Sequence, residues 1–490
     1  MRLTATDIYQ YYRPSECELR SHLIAAGVQP EPPGAFLELL LKLGKRHEAE
    51  HLASFPQALD LASGDIADRE HRTIEALRAG YEVIFQPVLR GEIHFGGQAI
   101  EVVGEPDFLL KRGETYAVRD CKISRRITER DHPEILRQLN LYGWLYEQTS
   151  GDAPESLEVY NGAGTVVPVD YDGGATALAD LERIAAIVLS KSPPFSPVGW
   201  SKCGHCGYKA RCWDAAVAGH DVAIVPGVDQ GLVKALRQNS LITYDDLLSH
   251  FDEDALAQLR RPWGEGLQKV GKKASAILRN ARALATNKEL LFSKPVLPSS
   301  SNFVMFDLEG LPPQLDDLDK VYLWGTQVFG DKPSEYRAAL AGFGESGDKE
   351  GWESFLGNAE AIFTQYGDIP FIHWATYERT KLNMYIDRYG DRDGIALRVE
   401  ANLLDLLPVT QKSIALPLSS YSLKVVERYV GFKRTQEEYG GEWSMARYIE
   451  ATESEDEKLR HEVIDEICTY NREDLGATWA VLSWLKSRVR

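Results

Sequence analysis

Two aspartates and a lysine in the segment 104–122 have residue types and a spacing that suit hydrolytic chemistry. The segment reads as two β-strands joined by a turn at residues 112 and 113, because the glycine there tolerates a positive φ. In this register Asp107 lies opposite Val118. Side chains alternate along a strand, so Asp120 and Lys122 share the Val118 face. The pattern therefore predicts that the side chains of Asp107, Asp120 and Lys122 converge. We call these three residues the N-terminal acid cluster.

The chemistry of this cluster is that of a divalent metal site. Carboxylates held close together repel one another unless a cation neutralises them, and their hard oxygen atoms suit Mg²⁺ or Mn²⁺. Lys122 would orient an attacking water and help to deprotonate it, while the ion stabilises negative charge developing on a phosphoryl group. The alternative is a solvated hairpin face on which an aspartate and a lysine form an ordinary ion pair.

Two helical segments carry further polar residues. Gln138 and Tyr142 stand four positions apart on one helical face, and the opposite side of that helix carries apolar Leu139 and Leu145. A helical pattern that begins at residue 44 carries His47, which is either a metal ligand or an ordinary surface or core residue. In order and spacing, the full set resembles the RecB-like PD-(D/E)XK nucleases: His47, Asp107, Asp120, Lys122, Gln138 and Tyr142.

This resemblance implies hydrolysis of DNA phosphodiester bonds. It implies that His47 and the two aspartates of the N-terminal acid cluster bind the metal, and that Lys122 is the catalytic lysine. Gln138 and Tyr142 would position the substrate. Asp rather than Glu at position 120 is a permitted variant of the family pattern, and it shortens that ligand by one methylene group.

Cysteines cluster at the end of the same region. Cys203, Cys206 and Cys212 are close enough in sequence to chelate one centre, and six cysteines in so long a chain are too few for a disulfide framework. Cys17 is the best candidate for a fourth ligand. The layout resembles the iron–sulfur staple of RecB-like nucleases, which implies a [4Fe–4S] cluster that fastens the two ends of the region together. A zinc site, with His205 as a ligand, is the alternative.

A second set of acids begins at the end of an apolar strand. Asp307 and Glu309 are two positions apart, which points both carboxylates to one side. The segment 320–327 reads as a strand that completes a hairpin with the first. Near the C-terminus, Tyr470 and Asp474 share one face of a predicted helix. The alternative is a pair of strand-end acids that cap a neighbouring helix, together with an ordinary surface turn.

This second set resembles the DEDD exonucleases of the DnaQ-like, ribonuclease-H-like fold. The resemblance implies that Asp307, Glu309 and Asp474, the C-terminal acid cluster, share two metal ions and that the helical tyrosine, Tyr470, orients the water. The middle acid of that family is usually Asp, whereas here the best-placed residue is Glu378, with Asp405 as the second choice. A glutamate at this position would still reach the metal ions.

Charge is distributed unevenly along the chain. The 490 residues carry a formal net charge of −18, which by itself argues against nucleic-acid binding, since phosphate recognition leaves a basic footprint. Residues 437–466 hold eleven acids and three bases, whereas residues 258–294 hold nine bases and two acids. The segment 225–248 resembles helix-hairpin-helix modules, which implies backbone contacts to phosphate. A plain helical spacer with a solvated basic face is the alternative.

These features predict a multidomain α/β fold. A restriction-endonuclease-like nuclease domain is expected in residues 1–218, a small helical, helix-hairpin-helix-like linker module in 219–295, and a ribonuclease-H-like exonuclease domain in 296–490. The segment 293–301 contains two prolines and a serine run, which cannot continue a helix and therefore separate the last two regions.

The expected function is Mg²⁺- or Mn²⁺-dependent hydrolysis of DNA, single-stranded or at ends, with RNA not excluded. One alternative is a nucleic-acid-binding adaptor for a helicase or for a repair or phage-defence complex, with one or both sites silent; another is a redox sensor built on the cysteines. The sequence lacks an ATP-binding Gly-x-x-x-x-Gly-Lys-Ser/Thr loop, so a helicase would act in trans. No apolar stretch approaches ~18 residues and the start lacks the apolar core of a signal peptide, which favours a soluble, cytoplasmic protein.

Overall fold

The computed structural model describes the chain except for residues 14–15, 196–197, 200–202, 204–205, 265, 313–317, 343, 437–439 and 490. The chain divides into two compact units. The first comprises Met1–Ser196 and Ser201–Ala210, and the second Pro197–Trp200 and Arg211–Arg490. The segment 219–295 thus falls in the second unit together with the region that follows it, and the three-domain boundaries stay a prediction. In the described part of the chain, no helix has the length and apolar character needed to cross a bilayer.

Within its described residues, the first unit combines helices with two sheets. Its helices are α1 (Ala5–Tyr12), α2 (Glu18–Ala25), α3 (Ala35–Ala53), α4 (Ile66–Ala79), α5 (Pro133–Ser150) and α6 (Ala175–Leu189), and α7 (Lys209–Ala218) spans the division. Its strands are β1 (Arg2–Thr4), β2 (Leu59–Asp60), β3 (Val83–Phe85), β4 (Leu89–Phe95), β5 (Gln98–Gly104), β6 (Phe108–Arg112), β7 (Thr115–Cys121), β8 (Ser156–Tyr160) and β9 (Val166–Val169). The strand orders are β2-β3-β6-β7-β8-β9 and β1-β5-β4.

The hairpin of β6 and β7 corrects the expected register. The turn lies at Gly113 and Glu114, and Val118 pairs with Leu109 instead of Asp107. Gly113 has a φ of 62° and is the first residue of the two-residue turn, whereas the expected register made it the second residue. The shift moves each partner by two positions, which is one full side-chain period. The continued register therefore brings Asp107 opposite Asp120, and the predicted shared face is retained.

The two faces of this hairpin pack against different layers. Leu109 and Val118 belong to the main core of the unit, which also contains Leu139 and Leu145 of α5. Cys121 lies on the other face, beside a smaller apolar cluster that includes Phe108. Because Asp107 and Asp120 continue the row of Leu109 and Val118, their side chains are directed to the face that α5 covers.

Within its described residues, the second unit has a central five-stranded sheet in the order β15-β14-β13-β16-β17. Its strands are β10 (Arg260–Trp263), β11 (Gly266–Lys269), β12 (Leu290–Leu291), β13 (Asn302–Gly310), β14 (Val321–Gly330), β15 (Arg337–Leu340), β16 (Phe371–His373), β17 (Leu403–Asp405) and β18 (Ile414–Ala415). Its helices are α8 (Gln230–Gln238), α9 (Tyr244–His250), α10 (Glu253–Gln258), α11 (Ala274–Thr286), α12 (Gly344–Tyr366), α13 (Tyr377–Tyr389), α14 (Ile395–Ala401), α15 (Leu406–Ser413), α16 (Leu423–Tyr429), α17 (Gly441–Glu453) and α18 (Glu457–Val489).

Strand β13 is buried on both faces and lies at the centre of this sheet. It pairs antiparallel with β14, as expected for the hairpin, and parallel with β16. Val304 and Phe306 pack into the core on one face, whereas Phe303 and Met305 pack into the core on the other, which also contains Leu475 of α18. The alternation continues along the strand, so Asp307 and Glu309 share the face that α18 covers.

The expectation of a helical linker is wrong for residues 260–269. They form an antiparallel β-hairpin of β10 and β11. Pro262 cannot donate the backbone hydrogen bond that a helix needs, and Gly264 has a φ of 57° at the turn. The neighbouring helices α8 to α11 pack around a core of their own.

Candidate active sites

The N-terminal acid cluster is assembled by the β6–β7 hairpin. Asp120 is buried, and its Oδ2 atom lies 2.6 Å from Nζ of Lys122. Asp107 comes just before β6, and its Oδ2 atom accepts a hydrogen bond of 2.6 Å from the backbone N–H of Cys121. The structure therefore brings Asp120 and Lys122 into direct contact and fixes Asp107 against the same stretch of β7.

Two residues that the sequence analysis missed also lie at this cluster. Nε2 of Gln86 donates to Glu48 Oε1 at 2.6 Å and to Asp107 Oδ1 at 3.0 Å. The backbone N–H of Gln86 also donates to the carbonyl of Asp107 at 2.8 Å. Gln86 has a φ of 53°, a conformation that non-glycine residues rarely adopt and that often marks functional sites. An acidic residue next to His47 in the sequence could have indicated Glu48 as a candidate ligand. No feature of the sequence indicated that Gln86 would bridge Glu48 and Asp107.

His47 is placed differently from the expected metal ligand. Its ring stacks on Tyr160 with centroids 4.9 Å apart, and its Nε2 atom lies 3.3 Å from the Tyr160 carbonyl oxygen. The next residue on α3, Glu48, is the one linked through Gln86 to Asp107. The metal-binding role of His47 stays a prediction, and Glu48 is a second candidate from the same helix.

The two polar residues of α5 lie together as the helical spacing predicted. Nε2 of Gln138 donates to the hydroxyl of Tyr142 at 3.1 Å, and both side chains are buried. Oε1 of Gln138 is a buried acceptor that has no hydrogen-bond partner among the described residues. An unsatisfied buried acceptor is costly, so this atom is suited to receive a donor from a substrate or an ordered water.

The electrostatics of this cluster reflect burial and repulsion. Burial, with the charges of Asp120 and Glu48, raises the pKa of Asp107 well above its usual range. Burial also raises the pKa of Glu48. Burial lowers the pKa of Lys122, but Asp120 and Asp107 together outweigh it, so the net shift is upward. Lys122 is therefore an ammonium group among these protein charges and is suited to donate a hydrogen bond, and its help in deprotonation stays a prediction.

The C-terminal acid cluster is formed by one strand and one helix. Ligand oxygens of Asp307 and Glu309 on β13 and of Asp474 on α18 all lie within 4.8 Å of one another. Within the described ranges, these three are the one set of His, Cys, Asp or Glu side chains so arranged. Three hard oxygen donors at this spacing fit Mg²⁺ or Mn²⁺. The acids predicted on β13 and on α18 therefore lie together at one site in the fold.

An arginine that the sequence analysis missed reaches into this cluster. The guanidinium of Arg434 makes two hydrogen bonds of 2.6 Å to the carboxylate of Glu427 and a further one to Asp474. All three side chains are buried, with that of Arg434 4% exposed. Asp307 is held from another direction, because Nδ2 of Asn471 donates to its Oδ2 atom at 2.7 Å. Nothing in the sequence around residue 434 marks it as part of an acidic site.

Glu378 is buried beside this cluster. It lies 3.1 Å from Nδ1 of His373, and its charge is one cause of the raised pKa of Asp307. Nε2 of His373 is buried and has no hydrogen-bond partner among the described residues. Asp405 accepts hydrogen bonds of 2.9 Å from the backbone N–H groups of Ala375 and Leu407, which makes it the N-cap of α15. Glu378 therefore stays the better candidate for the middle acid.

Burial and crowding dominate the electrostatics of the C-terminal acid cluster. Burial, together with Asp474, raises the pKa of Glu309 to about 8, and the same causes raise the pKa of Asp307 well above its usual range. Burial also raises the pKa of Asp474, although Arg434 opposes the shift. Tyr470 is buried one helical turn before Asp474, and burial with that charge raises its pKa well above the usual range. A divalent cation would relieve this repulsion.

The proposed cluster cysteines fall on both sides of the division between the units. Cys17 is the N-cap of α2, and the backbone N–H of Cys206 donates to the carbonyl of Cys203 at 3.3 Å. The chain after Cys206 packs beside the chain after α2, where the Tyr208 hydroxyl donates to the Val28 carbonyl at 2.8 Å. Cys212 belongs to the second unit and packs against its helical core. His205 lies outside the described residues.

Comparison with known families decides the identity of both regions. A family model of the PD-(D/E)XK nuclease superfamily matches residues 18–213, and a model of the RNase H superfamily matches residues 304–486. The chain joins a PD-(D/E)XK nuclease superfamily domain to an RNase H superfamily domain. This confirms the PD-(D/E)XK and ribonuclease-H-like resemblances and the α/β multidomain fold class, and the two domains support a hydrolytic, metal-dependent nuclease.

Other comparisons add little to these matches. None of the curated proteins matches the chain. Among solved structures, one titled "Crystal structure of SSO0001" aligns at 18% identity with a TM-score of 0.24, over 43% of this chain and 85% of that chain. The N-terminal acid cluster lies in the PD-(D/E)XK domain and the C-terminal acid cluster in the RNase H domain.

Proposed function

We propose that this protein hydrolyses phosphodiester bonds of DNA with Mg²⁺ or Mn²⁺ at both acid clusters. The observation that carries the proposal is the convergence of Asp307, Glu309 and Asp474 from a central strand and a long helix. Repelling carboxylates that are buried together need a cation, and their donor set suits a hard one. The Asp120–Lys122 pair of the PD-(D/E)XK domain supports a second site of the same chemistry.

In each domain, some residues would orient the substrate and the attacking water, and others would bind the metal ion. When bound, Mg²⁺ or Mn²⁺ supplies Lewis-acid stabilisation of charge on the phosphoryl group. In the PD-(D/E)XK domain, the Lys122 ammonium would donate to the attacking water or to a phosphate oxygen, and Gln138 would position the substrate through its open acceptor. In the RNase H domain, Tyr470 would orient the water. His47 or Glu48 would complete the first ligand set, and Glu378 the second.

The resemblance of the cysteine layout to the iron–sulfur staple of RecB-like nucleases supports a [4Fe–4S] cluster on Cys17, Cys203, Cys206 and Cys212, with zinc as the alternative. A visible absorption band and iron content after anaerobic purification would support the cluster. Stoichiometric zinc in a colourless protein would overturn it.

The first prediction concerns the two acid clusters. Asp120→Asn with Lys122→Ala should remove one nuclease activity, and Asp307→Asn with Asp474→Asn the other, each by roughly 100-fold or more, because the charge-stabilising groups are lost. The measurement is Mn²⁺-dependent cleavage of 5′- and 3′-labelled single- and double-stranded DNA and of matched RNA. Asp152→Asn and Asp331→Asn, exposed acids of the two domains, are the controls and should leave cleavage unchanged.

One observation favours a second function, that of a nucleic-acid-binding adaptor with a silent RNase H domain. Arg434 already neutralises Asp474, which lowers the need for a metal ion there. In that case Asp307→Asn with Asp474→Asn would leave every cleavage activity unchanged while DNA binding persists. Cleavage that survives all four substitutions would contradict the enzymatic proposal.

A further inference from the structure

The β10–β11 hairpin displays an aromatic ring at its tip. Trp263 pairs with Gly266 next to the turn and is 55% exposed, and Leu267 on the opposite strand is 61% exposed. Large apolar side chains at a hairpin tip contribute little to the fold that carries them. Exposed aromatic rings of this kind are typical of binding surfaces.

The ring of Trp263 is held in place by a fixed cation. The guanidinium of Arg261 lies 4.5 Å from the ring centroid, and Arg261 is itself 2% exposed and bound to Asp229 at 2.9 Å. Nζ of Lys273 lies 5.6 Å from the same centroid. A ring that is fixed before binding loses little conformational entropy when a ligand stacks on it.

The surroundings of the ring are cationic. Arg260, Lys269, Lys272 and Lys273 are exposed on the hairpin and on the short turn that follows it. Among the described residues, the carboxylate of Asp229 contacts this group, and it is already paired with Arg261. An aromatic ring within a group of lysines and arginines suits a nucleic-acid base flanked by phosphates, because the ring can stack on the base and the cations can neutralise the phosphate charges.

The hairpin also covers the position at which a helix-hairpin-helix module would receive phosphate. Asp229 caps α8 by accepting a hydrogen bond of 3.0 Å from the N–H of Leu232. A Cβ atom on Gly231 would come 2.0 Å from the carbonyl oxygen of Pro262, so the hairpin backbone lies directly against the first turn of α8. The surface available to nucleic acid in this segment is therefore the hairpin and not the start of α8.

We propose that the β10–β11 hairpin binds single-stranded nucleic acid by stacking an unpaired base on Trp263, with Lys272 and Lys273 contacting the backbone phosphates. Single strands are the ligand because the faces of bases within a duplex are covered by their neighbours. This inference names the substrate class and rests on the proposed nuclease function, but its test does not depend on cleavage.

The test measures binding of a short labelled oligothymidylate by fluorescence anisotropy in EDTA, which prevents metal-dependent hydrolysis. Trp263→Ala should raise the Kd roughly 5- to 100-fold, and Trp263→Phe should retain most of the affinity, because a phenyl ring still stacks. Lys272→Ala with Lys273→Ala should lower the slope of log K against log salt by about 0.7 for each lost phosphate contact.

An abasic oligomer of the same length separates stacking from other causes. The wild type should bind it more weakly than oligothymidylate, whereas Trp263→Ala should bind both equally. Leu267→Ala, on the same hairpin, and Tyr81→Ala, an exposed aromatic of the first unit, are matched controls and should bind as the wild type does. The proposal is overturned if Trp263→Ala keeps full affinity, or if Leu267→Ala weakens binding equally while abasic sites have no effect, which would show that the hairpin holds the strand without base stacking.

Discussion

Arg434 shows how a single residue determines the electrostatic state of the C-terminal acid cluster. It links Glu427 to Asp474, and all three side chains are buried. A buried ion pair contributes little net stability when complete, but the loss of one partner leaves uncompensated charge in a medium of low polarity. The guanidinium is therefore an intramolecular counter-ion of this acid cluster, to which the partly buried Lys424 also contributes positive charge.

The corresponding prediction is that Arg434→Met lowers the free energy of unfolding of the RNase H domain by about 3–5 kcal/mol in EDTA. Saturating Mg²⁺ should restore part of this loss, because a divalent cation takes over the neutralisation. Denaturant unfolding with and without Mg²⁺ measures both effects. The control is Arg392→Met, which removes an exposed ion pair with Glu360 and should cost less than about 1 kcal/mol. Equal losses for the two variants would contradict the interpretation.

Gln86 supports a second prediction at the residue scale. Its side chain bridges Glu48 and Asp107, so Gln86→Ala should lower Mn²⁺ affinity of the N-terminal acid cluster by roughly 10- to 100-fold. Calorimetric titration measures this in a protein that also carries Asp307→Asn and Asp474→Asn.

Gln86→Gly separates the bridging role from backbone strain. Glycine accepts the φ of 53° without penalty, so this variant should be more stable than Gln86→Ala by about 1 kcal/mol and bind Mn²⁺ equally weakly. Gln98→Ala, at an exposed position, is the control. Wild-type affinity in either Gln86 variant would show that the bridge has no role in metal binding.

At the scale of elements, helix α3 and strand β7 meet through a buried histidine. His51 is 7% exposed, stacks on Tyr160 with centroids 3.7 Å apart, and lies 3.1 Å from Arg119 Nη1. Burial, then the charges of Arg119 and His47, lowers the pKa of His51 to about 4 from 6.5. The folded protein therefore holds this ring neutral over a range in which the unfolded chain binds a proton.

The prediction is that acidification destabilises the PD-(D/E)XK domain between pH 6.5 and about 4. In that interval the unfolded state binds more protons than the folded state, so the free energy of unfolding decreases as the pH is lowered. The contribution of His51 to this decrease is as much as about 3 kcal/mol. His51→Gln should flatten this part of the stability profile. His71→Gln, at an exposed position, should leave the profile unchanged. Urea unfolding across this pH range tests the difference, and identical slopes for wild type and His51→Gln would refute it.

The same scale explains which sequence expectations succeeded. Alternation along β13 correctly placed Asp307 and Glu309 on one face, because a strand buried on both sides has a strict period of two. The turn of the β6–β7 hairpin was placed one residue too early, yet the shared face survived because partners moved by a whole period. Residues 260–269 were read as helical because short basic segments with few apolar residues carry little periodicity.

At the scale of the whole molecule, the net charge of −18 is an average over regions of opposite charge. Part of the excess consists of carboxylates gathered in the two acid clusters, and the acidic stretch 437–466 adds more. Arg447 pairs with Glu450 and Glu466 within that stretch. The exposed cations of the β10–β11 hairpin form a local basic surface that the average conceals. An acidic composition is therefore compatible with nucleic-acid binding when charge is segregated.

The sequence by itself determined the two superfamilies, the α/β class and most of the candidate acids, because these depend on residue type and on local spacing along strands and helices. The link from Glu48 to Asp107 and the roles of Gln86 and Arg434 became visible only in the tertiary structure. Each reaches its acid cluster from an element distant in sequence, and neither a period nor a motif records which side chains a fold brings within hydrogen-bond distance. The orientation of Trp263 was likewise decided by packing of the hairpin against α8, which no local pattern encodes.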